Sequence, residues 1–483
     1  MKKGIFKNCC LAVSLLLLSS CNDWLTIQPK NDVARDKMFE SEQGFLDGIS
    51  GAYILIREEN YGMVGDMNLK AIEHLANLWT YGNKSDEEEL SQHRYLKESV
   101  DKRLGGIFKS QYKVLANLNS MAEFFDVQSC LSEQNYNLLK GETLGLRAFL
   151  HFDLIRLWGP MPTEINQTKL YLPYETSFTH KKYVYSNYPQ YMKLLQEDLN
   201  TAEECLQKSD PILTSPLDSL ANGKEMDYIP AWGYYRQYKF NYYAVLALQA
   251  RVKLWMGDKT EALRYAQMVA KAEDVNGKRI FPLTTITSDA IILAGNTQVE
   301  GGDVRALYPE HIFAMQMILP NYAIDQMWGT RENAYHITKA QKNDIYGSDT
   351  VDIRGRFWHE DKGGRLNTVI PMKFDSYGLR SLPLIRVAEM YLIIMECAPI
   401  EEAKAAYLEL YTQRHPGNMD FVKEFTEQNR MSIVQEEYYK ELCVEGQLFY
   451  MNKRLGNEYI KWCNSPCGQT QYILPLPQAE KDY

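Results

Sequence analysis

Apolar residues recur at i, i+4 and i+7 over several long stretches of the chain, whereas alternation with a period of two is confined to a few short runs. A helix returns one face to the core about every 3.6 residues and a strand every second residue, so the pattern predicts a mainly α protein. The clearest pair of helices spans Asn241 to Trp255 and Lys259 to Ala272, separated by Gly257-Asp258. Tyr243, Leu246, Ala250 and Leu254 line one face of the first helix. Ala262, Ala266 and Val269 in the second are small enough for a neighbouring helix to approach closely. A second pair is predicted from Leu384 to Cys397 and, after Pro399, from Glu401 to Tyr411, where Ala403, Tyr407 and Leu410 repeat the spacing. Leu138 to Trp158 and Tyr188 to Leu206 supply further helices. Tetratricopeptide-like helical hairpins stacked into a scaffold are the fold this predicts.

Between the helices lie long irregular stretches, Gly62 to Ser85, Glu164 to Tyr185, Ile212 to Gln237 and Phe281 to Leu382. Long loops on a rigid scaffold are where binding groups concentrate. No Gly/Ser- or Pro-rich linker divides the chain, so 21–483 reads as one large domain behind a leader of residues 1–20.

The leader is basic at Lys2, Lys3 and Lys7 and apolar from Cys9 to Leu18 apart from Ser14. That run is too short for a spanning helix, which takes about 20 residues, and fits a cleaved signal peptide. Leu18-Ser19-Ser20-Cys21 is similar to the lipobox of bacterial lipoproteins and makes Cys21 the expected lipidated first residue of the mature chain. Several acyl chains, at about 0.8 kcal/mol per buried methylene, hold a protein at a membrane without spanning it.

The formal charge of −9 disfavours nucleic acid as a partner. Asp86-Glu87-Glu88-Glu89 lacks the alternating spacing of a calcium loop and reads as a helix start or a solvated loop. Cys463 and Cys467 do not have the spacing of a redox or zinc CxxC motif. In an oxidising compartment a local disulfide and two free thiols are equally compatible with them. Cys130, Cys205, Cys397 and Cys443 fall in apolar helical patterns suited to buried thiols. No HExxH, GxSxG, P-loop or strand-borne GxGxxG motif is present, so no catalytic residue, cofactor or metal is expected.

Three aromatic clusters in the irregular stretches suit a sugar, whose apolar C–H faces are edged by hydroxyls. Trp79, Tyr81 and Asn83 form the first. Trp328, Tyr335 and Trp358, with Asn321, Arg331 and Asn333 nearby, form the second. Trp232, Tyr234 and Tyr235 form the third. Each cluster has a plainer reading, because 33 tyrosines and 8 tryptophans must also fill gaps between helices. Trp79 and Trp328 have polar, glycine-containing neighbours and are expected to present exposed rings, whereas Trp158 and Trp255 lie on helices and are expected to pack.

Several motifs taken in order resemble the SusD/RagB family of Bacteroidetes. They are Cys21-Asn22-Asp23-Trp24-Leu25 with Pro29, GFLDGISGAY at 44–53, LRAFLHFDLIRLWGPMP at 146–162, ALQARVKLWMGD at 247–258, LPLIRVAEMYL at 382–392 and YILPLPQ at 472–478. The motif EYYKELCVEG at 437–446 keeps the family's Glu-Gly but replaces most of the arginines before it, and Leu448 and Met451 stand where Arg and Asp are usual. Arg147, Asp153, Arg156, Arg386 and Glu389 within these motifs lie beside apolar residues on helices and are expected in buried ion pairs rather than on a ligand.

The resemblance implies a non-enzymatic nutrient-binding lipoprotein of the outer membrane, facing the cell exterior. Such a protein captures an oligosaccharide and delivers it to a SusC-like TonB-dependent transporter, with ligand contacts in the region of Trp79, Tyr81 and Asn83. A peptide-binding uptake component of the RagB type is one alternative. A periplasmic helical-repeat adaptor is another.

Overall fold

The computed structural model describes residues 35–62, 65–80, 86–179, 182–221, 231–284, 307–317, 335–360, 367–371, 373 and 381–481. The leader, Cys21, Tyr81, Asn83, Asn321, Trp328, Arg331 and Asn333 lie outside the described residues. The main helices are α1 (Glu42–Leu55), α2 (Glu98–Ala122), α3 (Glu133–Trp158), α4 (Tyr188–Ser209), α5 (Tyr242–Trp255), α6 (Lys259–Ala270), α7 (Lys339–Tyr346), α8 (Val387–Cys397), α9 (Ile400–Arg414), α10 (Arg430–Leu442) and α11 (Leu448–Leu455). Polar side chains before the first turn mark several starts. Ser41, Ser132, Asn187, Asn241 and Asp258 each accept a hydrogen bond from a backbone N–H of α1, α3, α4, α5 and α6.

From Leu138 to Trp158 every residue of α3 except Lys140 is buried, as a helix without a polar face must be. It packs along α4 and α2. Its polar groups are paired, as the sequence led one to expect. Arg147 Nε donates to Asp198 Oδ2 of α4 at 2.7 Å, and Arg156 pairs with Asp153, which also accepts from the Tyr61 hydroxyl at 2.6 Å. Arg251 of α5 pairs with Glu389 of α8 at 2.7 Å. Trp158 and Trp255 are buried.

The helical pairs stand where periodicity places them. Gly257, with φ at +82°, turns the chain between α5 and α6 in a conformation that favours glycine. The α6 helix lies on α8, and α8 on α9. Ala262 and Ala266 are fully buried. Two boundaries differ from expectation. Leu384 to Arg386 belong to a strand, because a short apolar run buried on all sides has no period by which to tell strand from helix. The 25-residue α2 did not show in the sequence, since Gly105-Gly106 in its first half reads as a break. Gly105 is small where the C-terminal segment crosses, and a β-carbon there would stand 3.4 Å from Pro477.

Strands are short. β1 (Leu170–Pro173) pairs with β2 (Tyr185–Asn187), and β3 (His311–Gln316) with β7 (Ser381–Arg386), both antiparallel. β4 (Ile337–Thr338), β6 (Thr368–Pro371) and β5 (Trp358–Glu360) form a three-stranded sheet in the order β4-β6-β5. One large apolar cluster runs through the helices, and a smaller one gathers Phe39, Phe45, Ile49, Met121, Phe125 and Leu139. No helix among the described residues is long and apolar enough to cross a membrane.

The glutamates of the 437–446 motif find their arginines on other elements. Arg354 Nη1 meets Glu437 at 2.8 Å and Glu441 at 2.9 Å, Arg414 Nε meets Glu441 at 2.6 Å, and Arg386 Nη1 meets Glu441 at 2.9 Å. Burial alone would raise the Glu441 carboxyl, but Arg414, Arg386 and Arg354 hold it well below the usual carboxylate range. Gly446 closes the motif at φ +69°, where a β-carbon would stand 2.8 Å from the Asn68 carbonyl oxygen.

Candidate functional site

The segment from Gly65 to Thr80 folds around a five-residue helix, Ala71–Leu75, and delivers Trp79 to its end. Trp79 is 1% exposed and its indole N–H donates to the Leu69 carbonyl at 2.7 Å. The expectation of an exposed ring is therefore corrected. An indole has one polar atom, and once a backbone carbonyl satisfies it the ring is free to sink into the core.

A segment remote in sequence closes over this one. Thr80 N donates to the His336 carbonyl at 2.9 Å, Gln341 Nε2 donates to the Leu78 carbonyl at 3.0 Å, and the Thr80 hydroxyl meets Gln341 Oε1 at 3.3 Å. Gln341 is fixed in turn as the third residue of α7, its side chain accepting from Thr338 N at 2.8 Å. Trp79 of the first aromatic cluster and Tyr335 of the second are thus brought together, with the Tyr335 ring 5.4 Å from that of Trp79 and 5.7 Å from that of His74. Burial lowers His74 to about 3, so the imidazole is neutral at ordinary pH.

Tyr335 is only partly buried. Burial pushes its phenol up to about 12, with the Arg103 guanidinium opposing that shift. Arg103, from the second turn of α2, donates through Nε to Asp66 Oδ1 at 3.0 Å and lies 3.5 Å from Glu87. A phenol face backed by a buried indole and edged by a guanidinium and two partly exposed carboxylates can stack on an apolar ring and exchange hydrogen bonds with hydroxyls. Sequence reading missed Arg103, Asp66 and Glu87. The only signal for Arg103 was its place on a helix that itself went unread, and Glu87 lay in the acidic run, which does begin a short helix, Asp86–Ser91.

Trp358 lies on β5 in the sheet that β4 joins. It is 5% exposed, and its indole N–H donates to the Tyr346 hydroxyl at 3.3 Å. The cavity beside it measures about 10 Å³, room for one water molecule, so here too the expectation of a ligand-facing ring is corrected. In the third cluster Tyr234 is buried and Tyr235 is 45% exposed. Trp232 is held by its N–H on Glu142 at 3.1 Å and by the Lys239 ammonium 3.7 Å from its ring centre. Glu142 also meets the fully buried Arg236, whose Nη2 lies 2.8 Å from Asp210. The third cluster is anchored to a core ion network.

Comparison with known proteins places these features in a family. The model of SusD-like proteins, described as starch-binding and associating with the outer membrane, matches residues 23–254. SusD-like protein P25 of Formosa agariphila is 24% identical over 152 residues, which are 30% of this chain and 28% of that protein's length. Among solved structures, a SusD superfamily protein of Bacteroides thetaiotaomicron superposes with a TM-score of 0.67 at 19% identity, over 92% of this chain and 98% of the other. A SusD-like carbohydrate binding protein of Bacteroides vulgatus gives 0.65 at 15% identity over 91% and 96%. Bacteroides fragilis NanU gives 0.60 at 17% over 95% and 98%. At such identities the structures speak for the fold, which they share over nearly its full length. With that fold, with the family motifs occupying the buried ion pairs described above, and with the match from residue 23 to residue 254, the chain belongs to the SusD/RagB family.

Proposed function

We propose that this chain is a cell-surface lipoprotein that captures a glycan or oligosaccharide and hands it to a SusC-like TonB-dependent transporter in the outer membrane, without performing bond chemistry itself. Lipidated Cys21 is the anchor in this reading. The observation that carries it is the Tyr335 face, backed by Trp79 and edged by Arg103, Asp66 and Glu87, in a member of a family described as starch-binding. Tyr81, Asn83 and Trp328, which belong to the same two stretches of the sequence, are the further ligand contacts of this reading. Trp79 supports the Tyr335 face from beneath.

Titration calorimetry against a panel of oligosaccharides, α-glucans included, and of peptides tests the reading. A sugar ligand is expected, with Tyr335→Ala weakening it by well over tenfold, the loss of a contact worth about 2 kcal/mol. Binding of peptides alone would replace it with the RagB-type reading, and equal affinity in Tyr335→Ala would move the site elsewhere. Palmitate labelling of the wild type and not of Cys21→Ala tests the anchor, and loss of the protein to protease on intact cells tests its orientation.

A further inference from the structure

Away from the Tyr335 face, the loop after α11 brings Cys463 and Cys467 against His93, which follows the short helix Asp86–Ser91. One ring nitrogen and the two sulfurs lie within 4.8 Å of one another. We propose that His93, Cys463 and Cys467 form a zinc site that ties the C-terminal loop to the back of the wall carrying Trp79.

Three observations point to a metal rather than to a disulfide. The sulfurs are 3.9 Å apart. Two thiolates on a tetrahedral zinc, each about 2.3 Å from the ion, stand roughly 3.8 Å apart, whereas a disulfide needs about 2.05 Å. The imidazole is also set for ligation. His93 Nε2 is 3.0 Å from the Leu75 carbonyl oxygen, which can only accept, so the ring proton is on Nε2 and the lone pair on Nδ1. A second ring nitrogen donating to a backbone carbonyl is the arrangement that orients metal-bound histidines. Finally, Nδ1 is buried in a residue 7% exposed and takes no N–H or O–H donor among the described residues, the Cys463 sulfur being the group that interacts with the ring.

The donor set narrows the ion. Two thiolates and an imidazole suit zinc and are poor ligands for calcium or magnesium, which take oxygen. Cys467 is buried and Cys463 partly exposed, so the fourth position opens on the Cys463 side, where water completes the tetrahedron. Binding releases both thiol protons, which makes the affinity fall as pH is lowered. The carbonyl that orients His93 belongs to the helix Ala71–Leu75, so the ion would tie the C-terminal loop to the segment that ends in Trp79.

The test uses the full chain purified in detergent under reducing conditions, with zinc content measured by plasma mass spectrometry and the thiolate-to-metal absorption of the cobalt form measured by titration with Co²⁺. One zinc per chain is expected, together with the sulfur-to-cobalt band and a melting temperature that rises with added Zn²⁺. Cys463→Ser, at a partly exposed position, keeps the fold and is expected to lose the band and at least tenfold in Zn²⁺ affinity, as is His93→Gln. A folded wild-type chain that takes up no Zn²⁺ or Co²⁺ overturns the proposal. So does full uptake by Cys463→Ser, or an intact mass lighter by two hydrogen atoms in protein isolated without reductant, which would show that the two cysteines are bridged.

Discussion

The stacked pairs α5/α6 and α8/α9 and the wall around Trp79 are built from the same residue types and differ in where the partners come from. In the pairs, the residues that decide the packing lie within one helix of each other. α5 meets α6 across the turn that Gly257 sets, and α8 meets α9 across Ala398-Pro399. In the wall, Leu78 and Thr80 are held by His336 and Gln341, more than two hundred and fifty residues away. Short-range packing writes a period into the sequence. A contact between two irregular segments leaves no period at all, only residue types. The region with the functional groups is therefore the region where sequence reading has least to work with.

The largest effect is expected from truncating Trp79. As a buried ring with its N–H satisfied by Leu69, it is expected to cost about 3–5 kcal/mol of stability on replacement by Ala. Chemical denaturation of Trp79→Ala measures this directly. A loss below about 1 kcal/mol would mean that the ring is not core, and would return it to the exposed role that its polar neighbours first suggested.

That error shows what was legible. Glycine and asparagine beside Trp79 correctly marked irregular backbone, but exposure of a ring depends on whether something covers it, and Tyr335 covers it from a distant stretch. Trp358 misleads in the same way, because a strand residue beside polar, exposed His359 and Glu360 can still turn its own side chain inward. The family motifs, by contrast, were legible both in identity and in role. Arg147, Asp153, Arg156, Arg386 and Glu389 sit among apolar residues on the elements that pack together, and a charge in that setting must be paired. The carboxylates that Arg386 meets, Glu310, Glu441 and Glu445, could not be read, since they are set by tertiary position alone.

A smaller effect sharpens the scaffold side. Replacing Ala266 by Phe places a ring where α6 lies on α8, with no exposed direction for it to take, and overpacking of this kind costs about 1–3 kcal/mol. Thermal melting is the readout, and a melting temperature equal to that of the wild type would show that the two helices do not meet closely at this position. The ligand affinity of the variant is expected to stay unchanged, because α6 is not part of the Tyr335 face.

The smallest effect per unit change separates the two regions by pH. Glu73 lies in the helix Ala71–Leu75 that leads to Trp79, is fully buried, and accepts the Gly446 N–H at 2.8 Å. Burial raises its carboxyl to about 8, against the opposing pull of the Gly446 and Glu445 amides and of Lys373. An acid whose pKa is higher in the folded chain than in the unfolded one binds a proton on folding between those two values. Its favourable contribution is complete below the unfolded value near 4.5 and is lost as pH rises towards 8, at about 1.4 kcal/mol per pH unit at most, with no further change above. Glu73→Gln keeps the size and removes the titration. The stability difference, variant minus wild type, is therefore expected to grow in the variant's favour between pH 5 and pH 8 and then to level off. Comparing the two proteins at each pH cancels every other titrating group, and parallel stability curves over that range would show that Glu73 is not buried in this wall.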